Sequence, residues 1–264
     1  STEEIASSSQ SLAKLAGVRE AVRQQGMKRF VATLFLGLFA PSAWAQEAVC
    51  EPAEPARVEN RDGSVLTVRT ECPSPALRRH IVELACDAGR TCDRLEIDQE
   101  TEYTPMGNAS LVDLDGDGLH EIEILGACGA GPNCEGDVYR VDPATRTLQH
   151  FFSGGYYELQ FIDGWLVQAG RSSCCSWNYL MWKLDAVRSL PLGDGNQDLR
   201  AQVDGSGATY DEDGRGDAQC TFLRESGDNR VVVAPPSPGL EDMICRHYGE
   251  AYRLTPPDTT PGAP

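Results

Sequence analysis

The run Asp113-Leu-Asp115-Gly-Asp117-Gly-Leu119-His-Glu121 sets three carboxylates at alternate positions, places a glycine after the second and third, and closes on a fourth carboxylate. Carboxylates this close repel one another unless a cation sits among them. Hard oxygen donors on short side chains suit Ca2+. Asp113, Asp115 and Asp117 can converge on one ion if the backbone curls around it, and Gly116 and Gly118 permit the positive φ values of such a curl. The main-chain carbonyl of Leu119 and the carboxylate of Glu121 would complete the shell. With the shell filled by protein, the ion reads as structural rather than catalytic.

The elements that position this loop are strands. Residues 109–114 before it and 120–125 after it are strand-like, the second with period-two alternation. An EF-hand would need helices here and a bidentate glutamate at the twelfth position, which is Ile124. The loop instead resembles the calcium-binding hairpin of FG-GAP repeats, which carry aspartate where this chain has Glu121. A second acidic run, Asp211-Glu-Asp213-Gly-Arg215-Gly-Asp217, is similar but puts Arg215 where a ligand belongs; it reads as a decayed repeat.

Catalytic signatures are missing from the sequence. The four histidines do not pair at metal-ligand spacing, and there is no His-Glu-x-x-His, Gly-x-Ser-x-Gly or phosphate loop. The chain therefore reads as a binding protein and not an enzyme. The binding candidate is Ser153-Gly154-Gly155-Tyr156-Tyr157. A serine hydroxyl can donate to a carboxylate, glycine thins the backbone, and tyrosine adds contact area at low entropic cost.

That pentapeptide fits Ser-Gly-x-x-Tyr, a motif of bacterial periplasmic lysozyme inhibitors. The acidic loop, Val138-Tyr-Arg-Val-Asp-Pro, the pentapeptide and Gly170-Arg-Ser-Ser-Cys-Cys-Ser-Trp-Asn-Tyr together resemble a family of exported calcium-loop β-proteins. The family includes immunity proteins that protect bacteria from peptidoglycan hydrolases delivered by type IV secretion systems, and it is similar to type i lysozyme inhibitors. The resemblance covers most of residues 60–250. It implies a structural Ca2+, a lysozyme-like hydrolase as partner, and an inhibitory loop made of Ser153, Gly154 and Tyr157, with Tyr156 a neighbour that could substitute. Both aromatic positions are open as to which hydroxyl faces outward. The competing reading is an exported calcium-dependent adhesion or scaffold module.

Export has its own signal. Met27-Lys-Arg, an apolar run over residues 30–40 and Ala43-x-Ala45 form a secretory signal peptide over 27–45, with 1–26 an upstream or non-native segment. The apolar run is too short for a stable span, so the mature chain is expected in the periplasm without membrane insertion. All ten cysteines follow residue 45, the mark of disulfides in an oxidising compartment. Cys86–Cys92, Cys128–Cys134 and Cys220–Cys245 are the expected pairs. Adjacent Cys174 and Cys175 are expected to bond outward, with Cys50 or Cys72 among the partners.

Residues 1–45 hold five Lys/Arg and three Asp/Glu, so 18 and 37 of the chain's 23 and 40 fall in residues 46–264, a net charge of −19. This argues against nucleic acid and anionic membranes and for a cationic partner. Beyond the acidic loop, strands are predicted over 64–70, 138–142, 147–153, 157–162, 165–170, 177–185, 220–224 and 230–233, with an Asp163-Gly164 hairpin turn. Ser74-Pro75 followed by Leu77, Ile81, Leu84 and Ala85 predicts a helix ending at Gly89. The expected fold is all-β: a propeller-like or sandwich arrangement of antiparallel strands, one calcium-binding hairpin and one short N-terminal helix, as a single domain over 46–254 with a disordered tail over 255–264.

Overall fold

Alternating burial along short strands governs the architecture. The computed structural model describes residues 50–104, 107–129, 131–184, 189–206, 217–226 and 229–257. The segment expected to be a signal peptide over 27–45, the segment before it, residues 211–216 of the second acidic run and the tail from 258 lie outside them. Strands β1 (Ala56–Glu59), β2 (Val65–Ser74), β3 (Leu77–Ala85) and β4 (Thr91–Glu100) form a first antiparallel sheet in chain order. Strands β5 (Ala109–Val112), β6 (Glu121–Cys128), β7 (Cys134–Asp142) and β8 (Thr147–Tyr156) form a second in the same way. The third contains β9 (Glu158–Ile162), β10 (Trp165–Arg171), β11 (Ser176–Lys183), β12 (Leu199–Asp204), β13 (Ala218–Ser226) and β14 (Asn229–Val233), with β15 (Tyr252–Leu254) parallel to β13.

The three sheets share cores in sequence, a sandwich-like all-β arrangement. Leu66, Val68, Val82 and Leu84 of the first sheet pack on Ile122, Ile124 and Val141 of the second. Val138, Phe151, Phe152 and Tyr156 of the second pack on Leu159, Leu166, Leu180 and Trp182 of the third. The other face of the third sheet is covered by helix α1 (Pro238–Cys245) through Leu240 and Ile244. Ser237 caps that helix by accepting from Leu240 N–H, and Pro238 opens it. The Asp163-Gly164 turn between β9 and β10 has φ of 50° and 79°, the conformation a tight hairpin requires.

The helix expected after Ser74-Pro75 is instead β3, paired on both sides by β2 and β4. The Leu77/Ile81/Leu84 spacing imitates a helical face. The true period is two, and two of its inward positions are the buried polar residues Arg78 and His80, which hide it. The chain's described α-helix is α1, near the other end.

Cys86–Cys92, Cys128–Cys134 and Cys220–Cys245 pair as expected. The fourth disulfide, Cys50–Cys72, ties the N-terminal extension to β2. Cys174 and Cys175 therefore do not bond outward: all eight other cysteines are taken, and both are free thiols. Thr255 still docks, its N–H donating to Cys220 O at 2.8 Å. Four disulfides are consistent with an exported protein, and among the described residues no helix is long and apolar enough to cross a membrane.

His80 is fully buried as a neutral ring. Its Nε2 lies 3.0 Å from Gln99 Oε1, an acceptor, so Nε2 carries the proton, and Thr70 Oγ1 donates to Nδ1 at 3.0 Å. Burial first, then nearby Arg78, pushes its pKa below the ordinary value, against the hydrogen bond to Gln99. The unfolded chain then binds a proton that the folded chain refuses. His80 thus contributes stability above about pH 6.5 that is lost as pH falls. Urea midpoints at about pH 7.5 and about pH 5.5 should diverge less in His80→Gln than in the parent.

Candidate functional site

The acidic loop is the turn between β5 and β6, as its flanks require. Gly116 and Gly118 have φ of 72° and 81°, and Asp113, Asp115 and Asp117 bring one carboxylate oxygen each within 4.8 Å of the others. The aspartates also hold the curl by accepting backbone hydrogen bonds: Gly118 N–H to Asp113 at 3.2 Å, Asp117 N–H to Asp115 at 3.1 Å, and Leu119 N–H to Asp117 at 2.7 Å. The loop is anchored on the β1–β2 turn, where Arg61 N–H donates to Gly118 O at 2.9 Å and His120 N–H donates to Asn60 Oδ1 at 3.0 Å.

Glu121 stands apart from the three aspartates. It is 1 % exposed, and its Oε2 accepts from Leu114 N–H at 3.0 Å, closing the base of the loop. Burial pushes its carboxyl up to about 7, against the opposing pull of the Leu114 N–H and Arg140. Arg140 of β7 is the counter-charge that sequence spacing did not reveal. Its Nη2 donates to Asp115 at 3.1 Å and to Glu121 at 3.2 Å, while its guanidinium lies 4.6 Å from the Phe151 ring centre. Its signal in the sequence is only a basic residue within a strand, and nothing about residue 140 points to residue 115. The donor set of three convergent aspartate oxygens fits a hard divalent cation. Leu119 and Glu121 flank that set, and with Arg140 they line a cavity of about 260 Å³ beside it.

The pentapeptide occupies the opposite end of the second sheet. Ser153, Gly154, Gly155 and Tyr156 are not a free-standing loop. They finish β8, opposite Asp137, Gly136, Glu135 and Cys134 of β7. Ser153 N–H donates to Leu192 O and Tyr157 N–H to Ala169 O, both at 2.8 Å, fastening the segment to the connection between β11 and β12 and to β10 of the third sheet. The two tyrosines are sorted by strand alternation. Tyr156 is 4 % exposed, and its hydroxyl donates to Glu123 at 2.7 Å. Burial and that bond raise its pKa strongly. Gly136 makes the room, since a Cβ there would collide with the Tyr156 ring. Tyr157 is 56 % exposed. It stands edge-on to Trp177 at 5.3 Å, and Trp177 lies 4.2 Å from the ring of His247. Neither Trp177 nor His247 was singled out by the sequence, because their positions are distant in the chain.

No protein-family model matches the chain, and no curated protein matches it. Among solved structures it is similar to one described as "Structure of a Xanthomonas Type IV Secretion System related protein". The likeness is 14% identity and a TM-score of 0.37, covering 69% of this chain and 100% of that one. At that distance the likeness carries no functional argument, and the geometry above must carry it.

Arg140 neutralises two carboxylates, one of them buried. Arg140→Gln should destabilise the fold more at about pH 9 than at about pH 6, measured by urea denaturation in chelator, because Glu121, whose carboxyl sits up at about 7, is charged and unpaired only at the higher pH.

Proposed function

We propose that this chain is an exported inhibitor of a lysozyme-like peptidoglycan hydrolase, acting as an immunity protein by occluding the hydrolase cleft with Ser153, Gly154 and Tyr157. The observation that carries this reading is the sorting of the tyrosines: the one that completes Ser-Gly-x-x-Tyr is the one that faces solvent. A strand end pinned to two sheets presents it with little conformational freedom left to lose on binding. Glu135, Asp137 and Glu158 flank the segment, and residues 46–264 carry a net −19. The partner is therefore cationic around its cleft, and opposite charge speeds the encounter.

Calcium serves the fold in this reading and not the contact. The acidic loop and Tyr157 sit at opposite ends of β8, a ten-residue strand, roughly 30 Å long. Saturating calcium should raise Tm by about 5–10 °C, and Asp115→Asn should remove that rise. Identical melting curves in calcium and in chelator would sink the metal assignment.

The function is tested by cell-wall lysis with a panel of glycan hydrolases, in calcium. Stoichiometric suppression of one hydrolase is expected. Ser153→Ala with Tyr157→Ala should weaken it at least about 30-fold, with the melting curve unchanged. Tyr156→Phe should instead lower stability by about 1 kcal/mol and leave inhibition intact. A double variant that inhibits as well as the parent shows the segment to be misassigned. Binding to a cell surface without any effect on lysis would favour the adhesion or scaffold module.

A further inference from the structure

In a chain whose eight other cysteines are consumed in four disulfides, Cys174 and Cys175 are adjacent, free and set in one turn. Cys174 is exposed and Cys175 half-buried. The turn is fastened at nearly every backbone oxygen. Arg171 donates from Nε to Ser173 O at 2.8 Å and from Nη2 to Cys174 O at 2.9 Å. Gly205 N–H donates to Cys175 O at 2.8 Å, and Ser172 N–H to Ser176 O at 2.9 Å. Asn133 in turn grips Arg171 through both its N–H and its carbonyl. The neighbouring Cys174 thiol is the main reason the Cys175 thiol sits above its ordinary pKa.

The geometry points to Cys174-Cys175 as a thiol–disulfide exchange site that closes into a vicinal disulfide with low-molecular-weight disulfides and reopens with low-molecular-weight thiols. No other cysteine of the chain is free to capture either sulfur. The Cys174 thiolate, the more exposed, attacks one sulfur of a small disulfide RSSR; an S–S bond forms, the RS–SR bond breaks, and one RS⁻ leaves. The Cys175 thiolate then attacks the Cys174 sulfur of this mixed disulfide and expels the second RS⁻. The pair loses two electrons and two protons, and RSSR becomes two RSH. Neighbouring Cα atoms lie about 3.8 Å apart, closer than disulfides prefer. The ring is therefore strained and is reduced more readily than the structural bridges. The site lies two residues before Trp177, beside the aromatic contact with Tyr157. It rests on the export reading and not on the inhibitor reading.

The test exposes the purified protein to oxidised glutathione and follows intact mass and alkylation of Cys174 and Cys175. The expected product is lighter than the dithiol by two hydrogens, carries no glutathione, and has lost alkylation at both positions. Reduced glutathione should restore both while Cys50–Cys72, Cys86–Cys92, Cys128–Cys134 and Cys220–Cys245 stay closed. Cys175→Ser should keep one glutathione on Cys174, because the resolving attack is gone. A stable glutathione adduct on the parent, a disulfide-linked dimer, or a parent that does not react would each overturn the proposal.

Discussion

The second sheet is built into two cores at once, and most of the molecule follows from that constraint. Ile122, Ile124 and Val141 face the first sheet while Val138, Phe151 and Phe152 face the third. A sheet committed on both sides has its ends left for chemistry. The acidic loop takes one end and the Ser153–Tyr157 segment the other. Between them several polar side chains of the sheet are paired: Tyr156 hydroxyl on Glu123, His150 on Asp137, and Arg140 on Glu121. The first and third satisfy groups, the Tyr156 hydroxyl and the Glu121 carboxylate, that burial would otherwise penalise.

The outer strand of the first sheet handles a different problem. β4 is an edge, and an edge offers unpaired backbone groups to any passing strand. Its outward side chains Arg94, Glu96 and Asp98 form a charged ladder with Glu83 and Arg79 of β3. Pairs this exposed add little stability. Their value lies in making the edge a poor template for association.

Much of this was legible from residue order, and the exceptions share a cause. The acidic hairpin, the Asp163-Gly164 turn and the strands from 138 to 183 were readable because apolar residues alternate there and turn residues punctuate them. β3 was misread because Arg78 and His80 occupy inward positions, so polarity no longer marked the solvent face. β4 escaped because Leu95 and Ile97 are its only apolar residues, as suits an edge. Three disulfides followed from short or plausible spacing. Cys50–Cys72 depends on the β2–β3 turn, where Cys50 N–H donates to Pro75 O, and the Ser74-Pro75 pair of that turn reads in sequence as a helix start. The acidic loop's aspartates were visible in one nonapeptide, whereas Arg140 reaches them only through the pairing of β6 with β7.

Gly136 sits across from the pentapeptide and touches no partner in any reading, yet it decides which tyrosine the outside world meets. Strand neighbours face opposite ways, so the choice between Tyr156 and Tyr157 amounts to one step of register. The space over Gly136 is filled by the Tyr156 ring, which a Cβ there would displace. The address presented by this surface is thus written on the neighbouring strand, as missing volume, and not in the exposed residues themselves. A related chain could alter its specificity by filling that space while its Ser-Gly-x-x-Tyr remained letter for letter the same.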